Sequence, residues 1–268
     1  MKFQAAGKNK KIVGTVLASA LIIGSLGTIT AFAANNSDAV QKGALISVPA
    51  AADASDAPVA AQGTIQYSKD VYSRTDGSQN MTTERWYNPE TKDNRSDTKE
   101  YSADHQLLSY QSTYYVNGGN DLIIVQRDLS GNPVNGKIIK RADNPDIFKK
   151  YDLGNLDFSA LKDFYKDSSW TSVGSEQAPD GKILNKVMQS YQSYISDTTQ
   201  ANMQLIEFLD QDTGLPVKEE LYEDSTGQFK LFSTDTSELN YVADDGSIFN
   251  TDGISLTPFQ TQTAFNGK

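Results

Sequence analysis

The feature that most constrains this chain is a series of short β-prone segments, separated by turn residues, that starts at residue 64. The two clearest segments, residues 106–116 and 121–128, flank an Asn-Gly-Gly-Asn turn. Alternating side chains on both sides of such a turn predict a β-hairpin. Short connections that end in Gly also join segments in the second half, so we expect neighbouring antiparallel strands there too.

One segment departs from this pattern and indicates a helix. Residues 156–168 place Leu161, Phe164 and Tyr165 at helical spacing, and Asp157 is positioned to accept hydrogen bonds from the free amides of the first turn. Residues 131–136, which include two glycines and a proline, are expected to form a loop. The sequence therefore predicts the α+β class, with an antiparallel sheet that carries a helix on one face.

The N-terminal residues predict export. Residues 1–34 combine a lysine-rich start, a long apolar stretch and an Ala-Phe-Ala-Ala end, which is typical of a signal peptide or, if uncleaved, of a membrane anchor. Residues 35–63 are Ala-rich without aromatic residues, and we expect a flexible tether. A folded domain at 64–250 and a C-terminal tail at 251–268 follow. The expected location is extracytoplasmic, either secreted or anchored to the outer face of the cytoplasmic membrane.

Net charge and the scarcity of cysteine and histidine argue against several classes of partner and site. The chain has a net charge of −10, which disfavours nucleic acid because both would be negative. It has no cysteine and one histidine, His105, so we expect neither disulfides, nor a metal site, nor a cofactor. A serine hydrolase would need His105 as its base, and no G-x-S-x-G motif accompanies it.

Acidic residues offer the remaining route to catalysis. Asp212 begins an Asp-Thr-Gly triplet and Asp235 an Asp-Thr-Ser triplet, which are similar to the active-site triplet of aspartic proteases. The first lies among turn residues, so a turn is the better interpretation. We therefore expect no enzyme, while a hydrolase that uses a pair of acidic residues stays open as a third hypothesis. The aromatic residues, 13 Tyr, 11 Phe and 2 Trp, either fill the core or line an apolar concavity.

Two stretches resemble the LolA-like superfamily of lipoprotein carriers and RseB/MucB-like regulators. The first is Trp86-Tyr87-Asn88-Pro89, followed by Arg95 and by residues 122–124. The second is the predicted hairpin of residues 206–210 and 214–218. The resemblance implies an unclosed β-barrel, which is a strongly curved antiparallel sheet with one or a few helices on its concave face. It also implies a cavity for acyl chains or hydrophobic peptides, and Arg85 and Arg95 are the candidates for an arginine that latches a lid.

These observations lead to a non-catalytic exported domain that binds a lipid, a lipoprotein acyl chain or an apolar peptide. Its partners would be a hydrophobic ligand or a lipidated protein. The alternative is an envelope-stress or signalling partner that docks on a membrane regulator such as an anti-sigma factor. The predicted ligand-binding residues are Trp86, Tyr110, Tyr114, Ile124, Leu205 and Phe208.

Overall fold

The computed structural model describes residues 64–151, 157–194, 200–224 and 227–259. The predicted signal peptide or anchor and the predicted tether lie outside these residues. Among the described residues, no helix has both the length and the apolar character that crossing a membrane requires.

Twelve strands are found in the described part of the chain, and they form one sheet. They are β1 Thr64–Arg74, β2 Asn80–Tyr87, β3 Asn94–Tyr101, β4 Leu107–Val116, β5 Asp121–Arg127, β6 Pro133–Lys140, β7 Thr171–Gln177, β8 Ile183–Tyr194, β9 Gln200–Asp210, β10 Pro216–Asp224, β11 Lys230–Ala243 and β12 Leu256–Pro258.

The sheet is unclosed, with the spatial order β12-β6-β5-β4-β3-β2-β1-β11-β10-β9-β8-β7. All neighbouring pairs are antiparallel except β12 and β6, which run parallel. Strands β1 and β11 join the two halves through eleven paired residues, from Thr64 opposite Ala243 to Arg74 opposite Ser233. The prediction of an α+β fold with a curved, mainly antiparallel sheet is confirmed.

Two short helices accompany the sheet, α1 Pro145–Tyr151 and α2 Phe158–Phe164. Asp157 caps α2 as predicted, because its side chain accepts a hydrogen bond from the Ser159 amide at 2.8 Å. The helix is shorter than residues 156–168, and α1 was not predicted. A loop was predicted over residues 131–136, but β6 begins at Pro133, because its pairing with β5 outweighs the local turn preference.

The register divides the side chains between two faces, since residues directly opposite each other in an antiparallel pair point to the same side. The inner face carries the helices: Phe148 of α1 packs with Tyr115, Leu122 and Ile139. At the other end of this face, Tyr165 and Trp170, which follow α2, pack on Leu205.

The outer face of β4 and β5 is covered by the C-terminal part of the described chain. Ile254 and Leu256 pack against a core of Tyr114, Ile123 and Val125. Both residues lie in the range 251–268, for which the sequence predicted a C-terminal tail. The segment fits tightly because Gly136 of β6 has no side chain, and a Cβ there would lie only 2.5 Å from Leu256 Cδ2.

Candidate functional site

Three acidic side chains form a continuous row across the inner face. Glu207 of β9 lies opposite Glu219 of β10, and Glu219 lies opposite Asp235 of β11. They are 4%, 7% and 8% exposed, so all three are buried. Because neighbouring strands lie about 4.8 Å apart, the row spans roughly 10 Å. We call these three residues the acidic row.

A fourth carboxylate and an arginine adjoin the acidic row. Asp70 of β1 accepts hydrogen bonds from Arg85 Nη1 and, at 2.7 Å, from Ser237 Oγ. Its side chain is 14% exposed and that of Arg85 is 13% exposed. The pairing makes Asp70 and Arg85 locally neutral. Arg85 is thus bonded to Asp70, while Glu207 and Asp235 each keep one buried carboxyl oxygen without a hydrogen-bond partner.

Burial and repulsion between neighbouring carboxyl groups favour the protonated forms of Glu207 and Asp235. Burial is the largest cause that raises the pKa of Glu207 well above its usual range, followed by the charges of Glu219 and Asp235. Burial, then Asp70 and Glu219, raise the pKa of Asp235 to about 8, although Arg85 acts in the opposite direction. Shifts of this size mark groups whose ionisation the fold opposes.

Two oxygens of the acidic row have no hydrogen-bond partner. They are Glu207 Oε2 and Asp235 Oδ1, and the nearby Thr83 Oγ1 on β2 is also buried without a partner. The Tyr165 hydroxyl hydrogen-bonds the Glu207 carboxyl, so that one side of this group is satisfied. Most buried polar atoms in proteins are hydrogen-bonded, and unpartnered ones are therefore the positions at which a bound group would be recognised.

Apolar side chains flank the acidic row at both ends. Beyond Asp235, the same cross-strand line continues through Tyr72 and Met81, which are 7% and 3% exposed. Beyond Glu207, it continues to Val187 of β8. Val187 belongs with Leu205 to the cluster of Tyr165 and Trp170. The inner face thus combines a polar centre with apolar sides.

The structure divides the predicted ligand-binding residues between the two faces. Ile124 and Leu205 lie on the inner face, but they belong to different clusters, at α1 and after α2. The register places the other predicted residues on the outer face. These are Trp86, Tyr110, Tyr114 and Phe208. Whether any of the six contacts a ligand stays a prediction.

Three of the outer-face residues form a stacked network around Arg95. The Arg95 guanidinium lies 4.9 Å from the Trp86 ring centre and 5.2 Å from that of Tyr114. It also donates to both oxygens of Asp97, at 2.9 and 2.7 Å, and the Tyr110 hydroxyl donates to Asp97 at 2.8 Å. Each polar group of Asp97 and Arg95 thus has partners here, and this network stabilises the outer face.

Of the two latch candidates, Arg85 lies on the inner face and Arg95 on the outer face. Only Arg85 adjoins the acidic row, where it neutralises Asp70. Arg95 instead bonds the Ile248 carbonyl at 3.1 Å and thereby holds the C-terminal segment to the sheet. The roles of both as lid latches stay predictions.

Sequence reasoning missed the acidic row, although a signal for it exists. Glu207 alternates with Leu205 and Leu209, so an acid occupies a position where the period of two predicts a core residue. Asp235 was considered only as part of a protease-like triplet. The structure places Asp212 in an exposed turn and Asp235 in the buried interior of β11, so a turn is confirmed for the first triplet only.

Groups expected for other chemistries are not assembled in the described residues. His105 is an exposed residue before β4. Within these parts of the chain, no three acidic or histidine side chains are grouped closely enough to hold a metal ion.

Comparisons with known proteins assign no family. No protein-family model matches the chain, and no curated protein matches it. Among solved structures, MucB in complex with MucA(peri) is similar at 18% identity with a TM-score of 0.34, over 67% of this chain and 51% of that chain. The chain thus spans about half the length of the MucB chain that it matches.

Two further solved structures are similar at still lower identity. An uncharacterized conserved protein from Thermus thermophilus matches at 9% identity with a TM-score of 0.34, over 74% of this chain and 92% of that chain. A beta-barrel-like protein of a domain of unknown function from Brucella abortus matches at 10% identity with a TM-score of 0.23, over 67% of this chain and 96% of that chain. Likenesses at these TM-scores establish neither family nor function, so the LolA-like superfamily stays a prediction.

Proposed function

We propose that this domain is a non-catalytic, extracytoplasmic binding domain whose inner face holds an amphiphilic ligand. The ligand would be a lipid, a lipoprotein acyl chain or an apolar peptide. Its apolar part would lie on the hydrophobic sides of the inner face, and its polar end would reach the acidic row.

The observation that carries this proposal is the pair of unpartnered oxygens on Glu207 and Asp235, buried on the face that also carries the helices. A buried polar atom without a partner costs about 1–3 kcal/mol. A ligand that supplies a hydrogen bond there would recover this energy. Burial of an apolar chain against Tyr72, Met81 and Leu205 would add about 0.8 kcal/mol for each methylene group.

Binding is favoured over catalysis because the groups for nucleophilic chemistry are not together. His105, the single histidine of the chain, is exposed in a connection before β4. Asp212 and Asp235, the first residues of the two triplets, occupy an exposed turn and a buried strand, so they do not share a proton.

The two tryptophans allow a direct test, because Trp86 lies on the outer face and Trp170 on the inner face. In a Trp86→Phe variant, fluorescence comes from Trp170 alone, whose ring centre is 5.2 Å from that of Tyr165. Titration with hexanol, octanol and decanol should change this fluorescence saturably. Affinity should rise about fourfold for each added methylene, which corresponds to about 0.8 kcal/mol.

The control is Trp170→Phe, which leaves Trp86 to report on the outer face and should show no saturable change. The proposal fails if Trp170 does not respond to any alcohol of the series.

Native mass spectrometry of protein purified from its host distinguishes ligand holding from docking on a membrane regulator, the two functions that the sequence predicts. A co-purified lipid supports ligand holding, whereas ligand-free protein bound to a membrane protein supports docking on a membrane regulator.

A further inference from the structure

We infer that the acidic row binds the positively charged end of an amphiphile, namely an ammonium or guanidinium group carried on an apolar body. This inference rests on the proposed binding role of the inner face and specifies the head group of its ligand. The same chemistry occurs in a free alkylamine and in a lysine or arginine side chain of an apolar peptide.

The balance of charge around the site favours a cation. Asp70, Glu207, Glu219 and Asp235 interact electrostatically with one another, while Arg85 is already bonded to Asp70. A buried charge is stable only when it is paired. A cation that enters beside Glu207 or Asp235 would displace the proton that burial favours and pair with the carboxylate that forms, whereas an anionic head group would supply no counter-charge.

The hydrogen-bonding character of the unpartnered atoms also favours a cation. Glu207 Oε2 and Asp235 Oδ1 are carboxyl oxygens that lie on nine-tenths buried side chains. An ammonium group offers three donors and a guanidinium five, and neither is an acceptor. A hydroxyl offers one donor, and a carboxylate or phosphate ester offers none. A cationic head group therefore suits either oxygen, and one head group would bond one of the two because their strands lie roughly 10 Å apart.

Apolar side chains along the same line favour a cationic group that is attached to an apolar stem. Tyr72 and Met81 follow Asp235 on one side, and Val187 follows Glu207 on the other. A small hydrated cation would leave these side chains unused. An alkyl stem attached to the cationic group would pack against them, and because Tyr72 and Met81 are already buried, the gain would come from the apolar area of the stem itself.

The inference is tested by three ligands with one chain and different head groups, titrated into the Trp86→Phe protein at pH 7. Octylammonium should bind at least tenfold more tightly than octanol, and octanoate should bind more weakly than octanol. If octanol and octylammonium bind equally, the cation inference is overturned while the proposed function stands. If none of the three changes Trp170 fluorescence, the proposed function itself fails.

A variant pair locates the selectivity. Glu207→Gln combined with Asp235→Asn should bring octylammonium and octanol within about threefold of each other. The matched control is Glu238→Gln, which alters an exposed acid on the outer face of β11 and should leave the preference intact. Retention of the tenfold preference in the double variant would overturn the assignment to the acidic row. The comparison of head groups in the otherwise unchanged protein tests the inference even if the double variant does not fold.

The source of the cation is resolved by peptides with blocked termini. A leucine pentapeptide with a central lysine should bind at least tenfold more tightly than the same peptide with a central glutamine, if the natural ligand is a peptide. A preference for octylammonium without a preference for the lysine peptide would assign the site to a free amine. Absence of both preferences would overturn the inference.

Discussion

Arg85 and Arg95 lie on opposite faces of the sheet, and each is bonded to an aspartate on that face. On the outer face, Arg95 and Asp97 balance each other and are enclosed by Trp86 and Tyr114. On the inner face, Arg85 is bonded to Asp70, and its charge opposes the raised pKa of Asp235 without cancelling it. The outer pair therefore stabilises the fold, whereas the inner pair borders the acidic row.

Replacement of Asp97 should be among the most destabilising single changes in the sheet. Asp97→Asn is expected to lower the free energy of unfolding by about 3 kcal/mol, because it leaves Arg95 buried without its carboxylate. Burial acts to raise the pKa of Asp97, but the hydrogen bonds and charge of Arg95 outweigh it and hold the pKa below its usual range. Urea unfolding at pH 7 measures the change.

The control for that experiment is the exposed ion pair of Asp163 and Lys166, whose atoms are 3.1 Å apart. Asp163→Asn removes the same kind of charge from a surface where water screens it, so no measurable loss of stability is expected. Equal losses in the two variants would show that Asp97 and Arg95 interact no more strongly than a surface pair.

Asp235 should make the protein less stable as the pH rises. Its pKa is raised from 3.8 to about 8 in the folded state, so this contribution to stability is fully present below about pH 4 and is lost as the pH rises to about 8. Asp235→Asn should reduce this slope and give a melting temperature higher than that of the unaltered protein by roughly 5 °C at pH 8. Part of the decrease in stability with rising pH should remain in this variant, because the pKa of Glu207 is also raised.

The measurement is the melting temperature between pH 4 and pH 9 for both proteins, with Glu238→Gln as the control for loss of one negative charge from the same strand. The gap between Asp235→Asn and the unaltered protein should be smallest at pH 4. A gap that does not change with pH would contradict the raised pKa.

Replacement of Arg85 should lower the stability of the fold by an amount that increases with pH. Its charge lowers the pKa of Asp235 and pairs with Asp70. Arg85→Gln should therefore destabilise the fold more at pH 8, where the carboxyl groups ionise, than at pH 5, where more of them are protonated. Thermal unfolding at both pH values measures the difference. An equal loss at the two pH values would mean that Arg85 acts by packing instead of by charge.

The sequence predicted the sheet well because the signals for its strands are local. The hairpin of β4 and β5 follows from alternation around a turn whose residues Asn117, Gly118 and Gly119 have positive φ. The cap at Asp157 is equally local. Strand β6 and helix α1 escaped prediction because they depend on distant contacts, such as Phe148 with Tyr115.

The candidate site was less predictable, because it depends on which face each strand turns inward. Tyr114 and Tyr115 are adjacent in sequence and both buried, yet one packs under the C-terminal segment and the other against α1. Aromatic character alone does not reveal this choice. Glu207 is the residue that could have indicated the site from sequence, because it lies between Leu205 and Leu209 on the inward side of its strand.

Gly136 should be irreplaceable for the packing of the C-terminal segment. A Cβ at this position would lie 2.5 Å from Leu256 Cδ2 and 3.2 Å from the Ser255 carbonyl oxygen. Gly136→Ala should therefore displace the segment from β6 and cost about 1–3 kcal/mol, as overpacking of a core usually does. Urea unfolding measures the loss, and hydrogen exchange at the Phe259 amide, which bonds the Ile138 carbonyl, locates it.

Leu256→Ala supplies the test of this mechanism, since it removes the atom that the new methyl group would meet. If the clash is the cause, Gly136→Ala should cost less in the Leu256→Ala background than in the unaltered protein, with a coupling energy of roughly 1 kcal/mol. Purely additive losses would show that the substitution acts elsewhere, for example through the backbone of β6. The cycle thus separates steric overlap from altered strand flexibility at a position where both are changed by one methyl group.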